Sequence, residues 1–447
     1  MVDRTARKFI VKASLKLPVA GLALLFLHLH LHAQVAFTLA SSPAVGGFPV
    51  SVTAADINRD GRVDLICANY SSNTLSVLTN NGSGGFTNSG TYAVGGNPIS
   101  VTAADVNGDS RMDLICANYG SNTLSVLTNN RSSRFVTAGT CPVGLQPRSV
   151  TAADVNGDGK VDLICANYGA NTLTVLTNKG NGAFVTAGTY AVGAQPIAVL
   201  AADVNGDGKP DLICANSGDS TLSVLTNGGS GGFGTATNYA VSGIPFSVTT
   251  ADVNGDGQPD LICANENNST LSVWTNDGSG GFALASSPGV GIGAHSVTSV
   301  DVNGDGQPDL ICANYDDNTL SVLINVGNGN FATGGTCPVG GGPYSVTAAD
   351  VNGDGKPDLI SANSGSNTLS VVINTSTFPP PKLIITHSVS SVIVSWPSSW
   401  WGWTLQQNTN PATTNWSATG GITDNGTNKS LTLTSPSGNL FFRLTYF

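Results

Sequence analysis

The chain has 447 residues, a formal charge of −10, 40% hydrophobic and only 10% charged residues, and 55 glycines. That apolar content excludes a disordered chain, and the scarcity of charge with abundant glycine suits many short strands and tight turns. The acidity, with no basic patch beyond the N-terminal stretch, excludes nucleic acid as a partner.

Residues 1–33 read as a secretory signal. Arg4, Arg7, Lys8, Lys12 and Lys16 form a positive region, Leu17 to Leu31 an apolar one, and Ala33 is the expected last residue before cleavage. The rival is an uncleaved membrane anchor, interrupted by His28, His30 and His32. No later segment approaches the ~20 apolar residues of a membrane span. The expected mature chain is therefore secreted or cell-surface, without a membrane span, and monomeric.

Phe37 to Gly46 (F-T-L-A-S-S-P-A-V-G) follows, and matches F-A-L-A-S-S-P-G-V-G at Phe282 to Gly291. Beyond it one stretch, D-V-N-G-D-G-K-V-D-L-I at Asp154 to Ile164, recurs seven times at a period of 49 residues. So strict a period marks a repeat architecture. Oxygen-bearing side chains fall at positions 1, 3, 5 and 9 of each copy, the alternation with which a short loop surrounds a hard cation such as calcium. Position 7 is never acidic and is assigned through its backbone carbonyl.

The seven ligand sets begin with Asp56, Asn58, Asp60, Arg62 and Asp64, then Asp105, Asn107, Asp109, Arg111 and Asp113. The third and fourth are Asp154, Asn156, Asp158, Lys160 and Asp162, and Asp203, Asn205, Asp207, Lys209 and Asp211. The fifth and sixth are Asp252, Asn254, Asp256, Gln258 and Asp260, and Asp301, Asn303, Asp305, Gln307 and Asp309. The seventh is Asp350, Asn352, Asp354, Lys356 and Asp358. Up to seven Ca2+ ions are expected, and these loops hold 21 of the 28 acidic residues. Position 12, where an EF-hand needs a bidentate Glu, is Cys or Ser, so the site is not an EF-hand. The competing reading is a metal-free Asx-rich turn. Ser110 stands where the other loops have Gly, which predicts the second loop to be the weakest; Arg59 puts a positive charge in the first.

The loop, followed by G-N-G-x-F (Gly180 to Phe184), resembles the FG-GAP or VCBS repeat, a family that includes the β-propeller of integrin α chains. The resemblance covers about residues 37–376 and implies a propeller with a calcium loop in each blade. One repeat predicts four strands: Ser149–Asp154, Leu163–Tyr168, Thr172–Asn178 and Phe184–Val192. Radial repetition of such units is a propeller; a linear solenoid, the alternative, needs capping repeats that are absent. The seventh repeat stops after three strands, and Phe37–Gly46 is the expected fourth. The fold class expected is thus all-β: a seven-bladed propeller over 34–376, then a small C-terminal β-sandwich.

Eight cysteines in a secreted chain invite disulfides. Six recur at one repeat position, and Cys141 and Cys337 replace a Tyr in distant blades, so all are expected unpaired. Residues 377–381 read as a stiff Pro-rich linker. Residues 382–447 carry five of the six Trp (Trp396, Trp400, Trp401, Trp403 and Trp416) with β-rich runs, and the Trp cluster reads as core or as a sugar-stacking platform.

Beyond residue 33 there are two His, His295 and His387, and one Glu, Glu266. His295 reads as a surface residue of a blade-linking turn. A glycosidase pair of Glu266 with Asp316 or Asp317 would span two blades. Wider VCBS resemblance includes lyases, which would need a basic or phenolic group such as Arg148, Tyr344, Tyr70, Tyr119, Tyr168 or Tyr315. No catalytic constellation emerges, so the expected function is a calcium-binding scaffold for an extracellular protein or glycan. The alternatives are a polysaccharide-active enzyme such as a lyase and a structural matrix component. Any ligand is expected on the face opposite the calcium loops, where Phe48, Asn97, Arg148, Phe246, His295 and Tyr344, with Tyr70, Ser217 and Glu266, differ between repeats.

Overall fold

The computed structural model describes residues 35–130, 134–377, 383–387, 391–397, 403–408, 417–424, 428–434 and 440–446. The signal at 1–33, the prolines of the linker, and Trp400, Trp401 and Trp416 lie outside them. The chain divides into a propeller unit, Val35–Val302 with Gln307–Thr375, and a second unit that contains Ser376–Phe447.

The propeller unit is seven four-stranded antiparallel sheets. Blade 3 shows the pattern: Pro147–Ala153, Asp162–Asn167, Thr172–Asn178 and Phe184–Ala191, paired in that order. The second strand, D-L-I-C-A-N, is buried at all six positions, because its two faces meet the sheets of both neighbours. The fourth strand alternates and its outward residues stay exposed. Blade 4 departs from the pattern. Its third strand stops at Leu225 and its fourth is only Thr237–Ala240, because Gly228, Gly229, Gly231, Gly232 and Gly234 interrupt the hairpin.

The ring is tied by two ladders of side chains. Asn80, Asn129, Asn178, Asn227, Asn276, Asn325 and Asn374 share one repeat position, at or within two residues of the end of the third strand. Each donates from Nδ2 to a carbonyl in the preceding blade's metal loop, at 2.8–3.0 Å. The Asn80 bond reaches Val351, which joins blade 1 to blade 7. Nearer the axis, serine hydroxyls of six first strands accept the N–H of the next blade's valine, from Val52 N–H on Ser345 Oγ round to Val346 on Ser296. Only blade 4, with Ala198, offers no hydroxyl.

The last blade takes its outer strand from the other end of the chain. Phe37–Ser41 pairs antiparallel with Thr368–Asn374, from Phe37 opposite Asn374 to Ser41 opposite Val371. Val45 N–H donates to Asn367 and Leu369 N–H to Pro43. Val35 and Phe37 pack on the core between blades 6 and 7, and Val45 on that between blades 7 and 1.

All eight cysteines are free and buried, and burial pushes their thiols above the ordinary range. In the second unit one sheet is Ile384–His387, Ser391–Pro397, Asn428–Thr434 and Ile422–Asp424, the other Ser417–Ala418, Trp403–Asn408 and Phe441–Tyr446. Val394, Trp396 and Leu431 of one sheet share a core with Leu405 and Phe442 of the other, so Trp396 is core.

Candidate metal loops and the opposite mouth

Each metal loop joins the first and second strands of a blade. In the third, Asp154 Oδ1 accepts the N–H groups of Gly157 and Asp158 at 2.8 and 3.2 Å, and its Oδ2 that of Gly159 at 2.8 Å. Asn156 Oδ1 accepts from Asp158 N–H and Asp158 Oδ1 from Lys160 N–H. The turn needs a left-handed backbone at positions 4 and 6, where Gly157 and Gly159 have φ of 76° and 79°. Two loops fill these places with side-chain residues: Arg59 at φ 63° and Ser110 at φ 64°. The first loop is therefore strained as well as the second, and the strain at Arg59 is separate from its charge.

Asp at position 9 is fully buried. Asp162 Oδ2 accepts Val155 N–H at 3.2 Å and Oδ1 accepts Asn178 N–H at 2.9 Å. Burial first, then the charges of the loop's other two carboxylates, raise this residue against the pull of those two hydrogen bonds; Asp64, Asp113 and Asp358 are pushed up to about 6. No basic side chain contacts any of these three. The position-7 lysines supply cations at three loops, with Lys160, Lys209 and Lys356 Nζ 3.4–3.6 Å from Asp158, Asp207 and Asp354.

The donor set fits a hard cation: every side-chain donor is an oxygen, and Asp154 Oδ2 and both oxygens of Asp162, which accept one backbone N–H each, keep a second lone pair. As they stand, no three His, Cys, Asp or Glu side chains converge as around a bound ion, among the described residues. An ion would draw the position-1, 5 and 9 carboxylates inward.

The opposite end of the ring is built from a bulge. In every blade the first and second strands lose register once, between a Pro or Ala and the Ser or Ala two residues on. The residue left unpaired there is Val50, Ile99, Arg148, Ile197, Phe246, His295 or Tyr344. Such a bulge re-aims one side chain out of the ladder, and first strands of neighbouring blades pack on one another round the axis. Four of these side chains, from blades 3, 5, 6 and 7, meet.

His295 is 7% exposed and stacked between Phe246 and Tyr315, with centroids at 4.1 and 4.4 Å and planes within 17°. Its Nε2 lies 3.3 Å from Glu266 Oε1, and its Nδ1 is buried without a partner. That contact, followed by the charges of His295 and Arg148, holds Glu266 below the usual carboxylate range. Tyr344 lies edge-on to Phe246 and His295 at 5.5 and 5.0 Å. Arg148 reaches across from blade 3: Nη2 donates to Tyr344 Oη at 2.7 Å, and the guanidinium lies 5.3 Å from the Tyr168 ring centre and 5.5 Å from that of Phe246. Burial raises the Tyr344 phenol, and Arg148 opposes the rise.

From Tyr168 an arc of rings continues round the mouth: Tyr119 at 6.5 Å, Tyr70 at 6.4 Å and Phe48 at 5.9 Å. Phe48 and Asn97 have φ of 54° and 53° in the blade links. Phe48 N–H donates to Asn367 Oδ1 of blade 7. Beside Tyr168, Gln146, Asn171, Ala194 and Gln195 line an open groove of about 440 Å³.

Three sequence readings change. His295 is neither a surface residue nor in a turn; it begins the strand Ala294–Val300 and is buried by its two rings. Glu266 partners His295 and not Asp316 or Asp317, whose neighbours are in the links: Asp316 N–H donates to Ile292, and Asp317 Oδ2 accepts Ile292 N–H. Phe48 and Asn97 stand two repeat positions before that of Arg148, Phe246, His295 and Tyr344, so the set first grouped together is two rings of positions. Gln146 and Gln195 went unnoticed, although they occupy the same repeat position as Phe48 and Asn97.

The chain belongs to the FG-GAP-like repeat family, whose model matches residues 56–116, 105–165, 154–214, 203–263, 252–312 and 301–361. Each match runs from one metal loop to the next, so six matches span all seven loops. No curated protein matches the chain. Among solved structures, it is similar to BBS1N, crystallised in complex with ARL6DN and soaked with lead: 12% identity, 77% of this chain and 99% of that one, TM-score 0.56. It is also similar to a Bacteroides uniformis protein named "putative 6-phosphogluconolactonase": 14% identity, 89% of this chain and 100% of that one, TM-score 0.50. At these identities the likeness is one of fold, and the fold leaves open whether the chain is an enzyme.

Proposed function

We propose that the chain is a calcium-stabilised propeller that acts outside the cell as a binding scaffold for an extracellular glycan or protein. The observation that carries this reading is the division of labour between the two ends of the ring. The loop end repeats one donor set seven times. At the mouth, seven bulges of one geometry present Val50, Ile99, Arg148, Ile197, Phe246, His295 and Tyr344. Different side chains on a common rigid frame form a specific surface, whereas repetition serves the frame. Calcium offsets the mutual repulsion of three carboxylates in each loop, and binding that favours the native state adds stability by mass action. Glycan and protein arrays probed with the purified chain test the reading. Saturable binding lost on alanine substitution of Arg148, Phe246 and Tyr344 is expected; binding that survives all three overturns the mouth as the ligand site.

One observation favours a second reading, a polysaccharide-active enzyme. His295, Glu266, Tyr344 and Arg148 bring an imidazole, a carboxylate, a phenol and a guanidinium to one mouth, and such groups serve proton transfer when placed at a reacting atom. Turnover of any array ligand, abolished by Glu266→Gln and Tyr344→Phe, would select this reading over the scaffold.

A further inference from the structure

The one carboxylate whose charge Arg148 feels, Glu266, pairs with His295. Among the described residues Arg148 is the only Arg or Lys whose charge reaches the mouth cluster, in a chain of net charge −10. It forms no salt bridge, since the ion pairs of the propeller involve Lys160, Lys209, Lys356 and His295. One of its five N–H donors is used, on Tyr344 Oη. The two rings beside it, Tyr168 and Phe246, consume no donor. A guanidinium is a planar fork, and with donors to spare it takes a carboxylate through two parallel hydrogen bonds.

Two features narrow the ligand. Glu266 keeps its negative charge close to Arg148, each group's charge being felt by its neighbours. A dianion such as a phosphate monoester would meet that repulsion twice over with one cation to offset it, so the site suits a monoanion. The groove lined by Tyr168 also carries the carboxamides of Gln146 and Gln195, which make no side-chain hydrogen bond among the described residues. Carboxamides donate and accept together, as vicinal hydroxyls do. The half-buried Tyr168 ring belongs to both parts, with the guanidinium over it and the groove along it. A flat ring with a carboxylate at one end and hydroxyls at the other is an acidic sugar.

We propose that Arg148, Tyr168, Gln146 and Gln195 form a subsite for a uronic acid unit, with its carboxylate on Arg148, its ring on Tyr168 and its hydroxyls on the two glutamines. The subsite rests on the mouth being the ligand surface, and it adds the ligand's charge and class. His295, whose Nδ1 lacks a partner, stands behind it and completes the mouth.

Binding of D-glucuronate, D-glucuronamide, D-glucose, D-glucose 6-phosphate and N-acetylglutamate amide to the full chain, measured by ligand-observed NMR, tests this. Replacing the carboxylate by its amide removes the charge and keeps the shape. A charge-assisted bidentate contact predicts about tenfold to hundredfold tighter binding of glucuronate than of glucuronamide or glucose. Arg148→Gln should erase that difference, and Arg148→Lys should restore only part of it, because an ammonium lacks the fork. A melting temperature of Arg148→Gln within a few degrees of the parent's shows that the loss is one of contact and not of fold. Gln146→Ala with Gln195→Ala should weaken glucuronate about tenfold. Equal affinity for acid and amide, or glucuronate binding unchanged in Arg148→Gln, overturns the subsite. Stronger binding of glucose 6-phosphate overturns the monoanion assignment, and equal binding of N-acetylglutamate amide shows that an acidic peptide is the ligand instead of a sugar. Array ligands that need the mouth but ignore charge would defeat the subsite and leave the scaffold standing.

Discussion

Replacing Asn80 by alanine removes one rung of the ladder that closes the ring, and its cost is readable from the structure. Nδ2 donates to Val351 of blade 7 at 2.9 Å and to Val63 of its own blade at 2.8 Å, while Oδ1 accepts Gly82 N–H at 2.7 Å. Asn178, at an interior seam, has the same three partners by position: Val106, Val161 and Gly180. Three hydrogen bonds at about 1 kcal/mol each, two of them to carbonyls left behind in a water-poor seam, amount to about 3 kcal/mol. With unfolding entropy proportional to chain length, that lowers the melting temperature of a ~340-residue cooperative unit by about 4 °C. In a closed ring both variants lose the same, within ~0.5 kcal/mol. Urea or thermal unfolding of Asn80→Ala and Asn178→Ala, side by side, makes the comparison. If Asn178→Ala costs about 3 kcal/mol and Asn80→Ala only the roughly 2 kcal/mol of its two bonds within blade 1, blade 1 does not lean on blade 7 and the ring is open.

Three further outcomes are expected. Asp64, Asp113 and Asp358 have folded pKa values raised to about 6 from an unfolded value near 3.8. Their contribution is present in full below pH 3.8 and is lost as pH rises through 6, so chelated protein should have a lower urea midpoint at pH 7.5 than at pH 5. Calcium should remove or reverse that fall; each group is worth up to about 3 kcal/mol. Ser110→Gly and Arg59→Gly, each relieving a left-handed side-chain residue, should each stabilise by about 1 kcal/mol, and Ser110→Gly should tighten calcium binding measured calorimetrically. Removing residues 34–46 exposes the edge of Thr368–Asn374, and should lower the unfolding midpoint and produce association in light scattering; an equally stable monomer would refute the closure.

The fold was legible because its cues are periodic. The 49-residue period, the alternation of the outer strands and the six-residue apolar second strand each follow from where a strand lies in a blade, and the strand count gave the last blade's missing edge a partner in Phe37–Ser41. The loop's turn was equally plain, since Asp and Asn at alternate positions accept the N–H groups that close it. What the sequence concealed is the mouth. Arg148, Phe246, His295 and Tyr344 are separated by 49 or 98 residues and meet because a bulge, invisible in composition, turns one side chain per blade toward the axis. His295 looked exposed because a His after Gly and Ala resembles a linker; its burial depends on Phe246 of the strand Pro245–Ala251 and on Tyr315 of the turn after Asp309–Asn314. A register comparison at 49-residue steps was the signal that would have separated Phe48, Asn97, Gln146 and Gln195 from the bulge residues.

The claim that recognition takes place at the mouth is tested most directly by hydrogen exchange on the full chain, in calcium, with and without a saturating array ligand. The account predicts slowed exchange at Gln146–Ser149, Tyr168–Asn171, Gln195, Phe246, His295 and Tyr344, with the seven metal loops unchanged. Protection confined to the metal loops or to the outer strands, with the mouth exchanging as in the free protein, would contradict it.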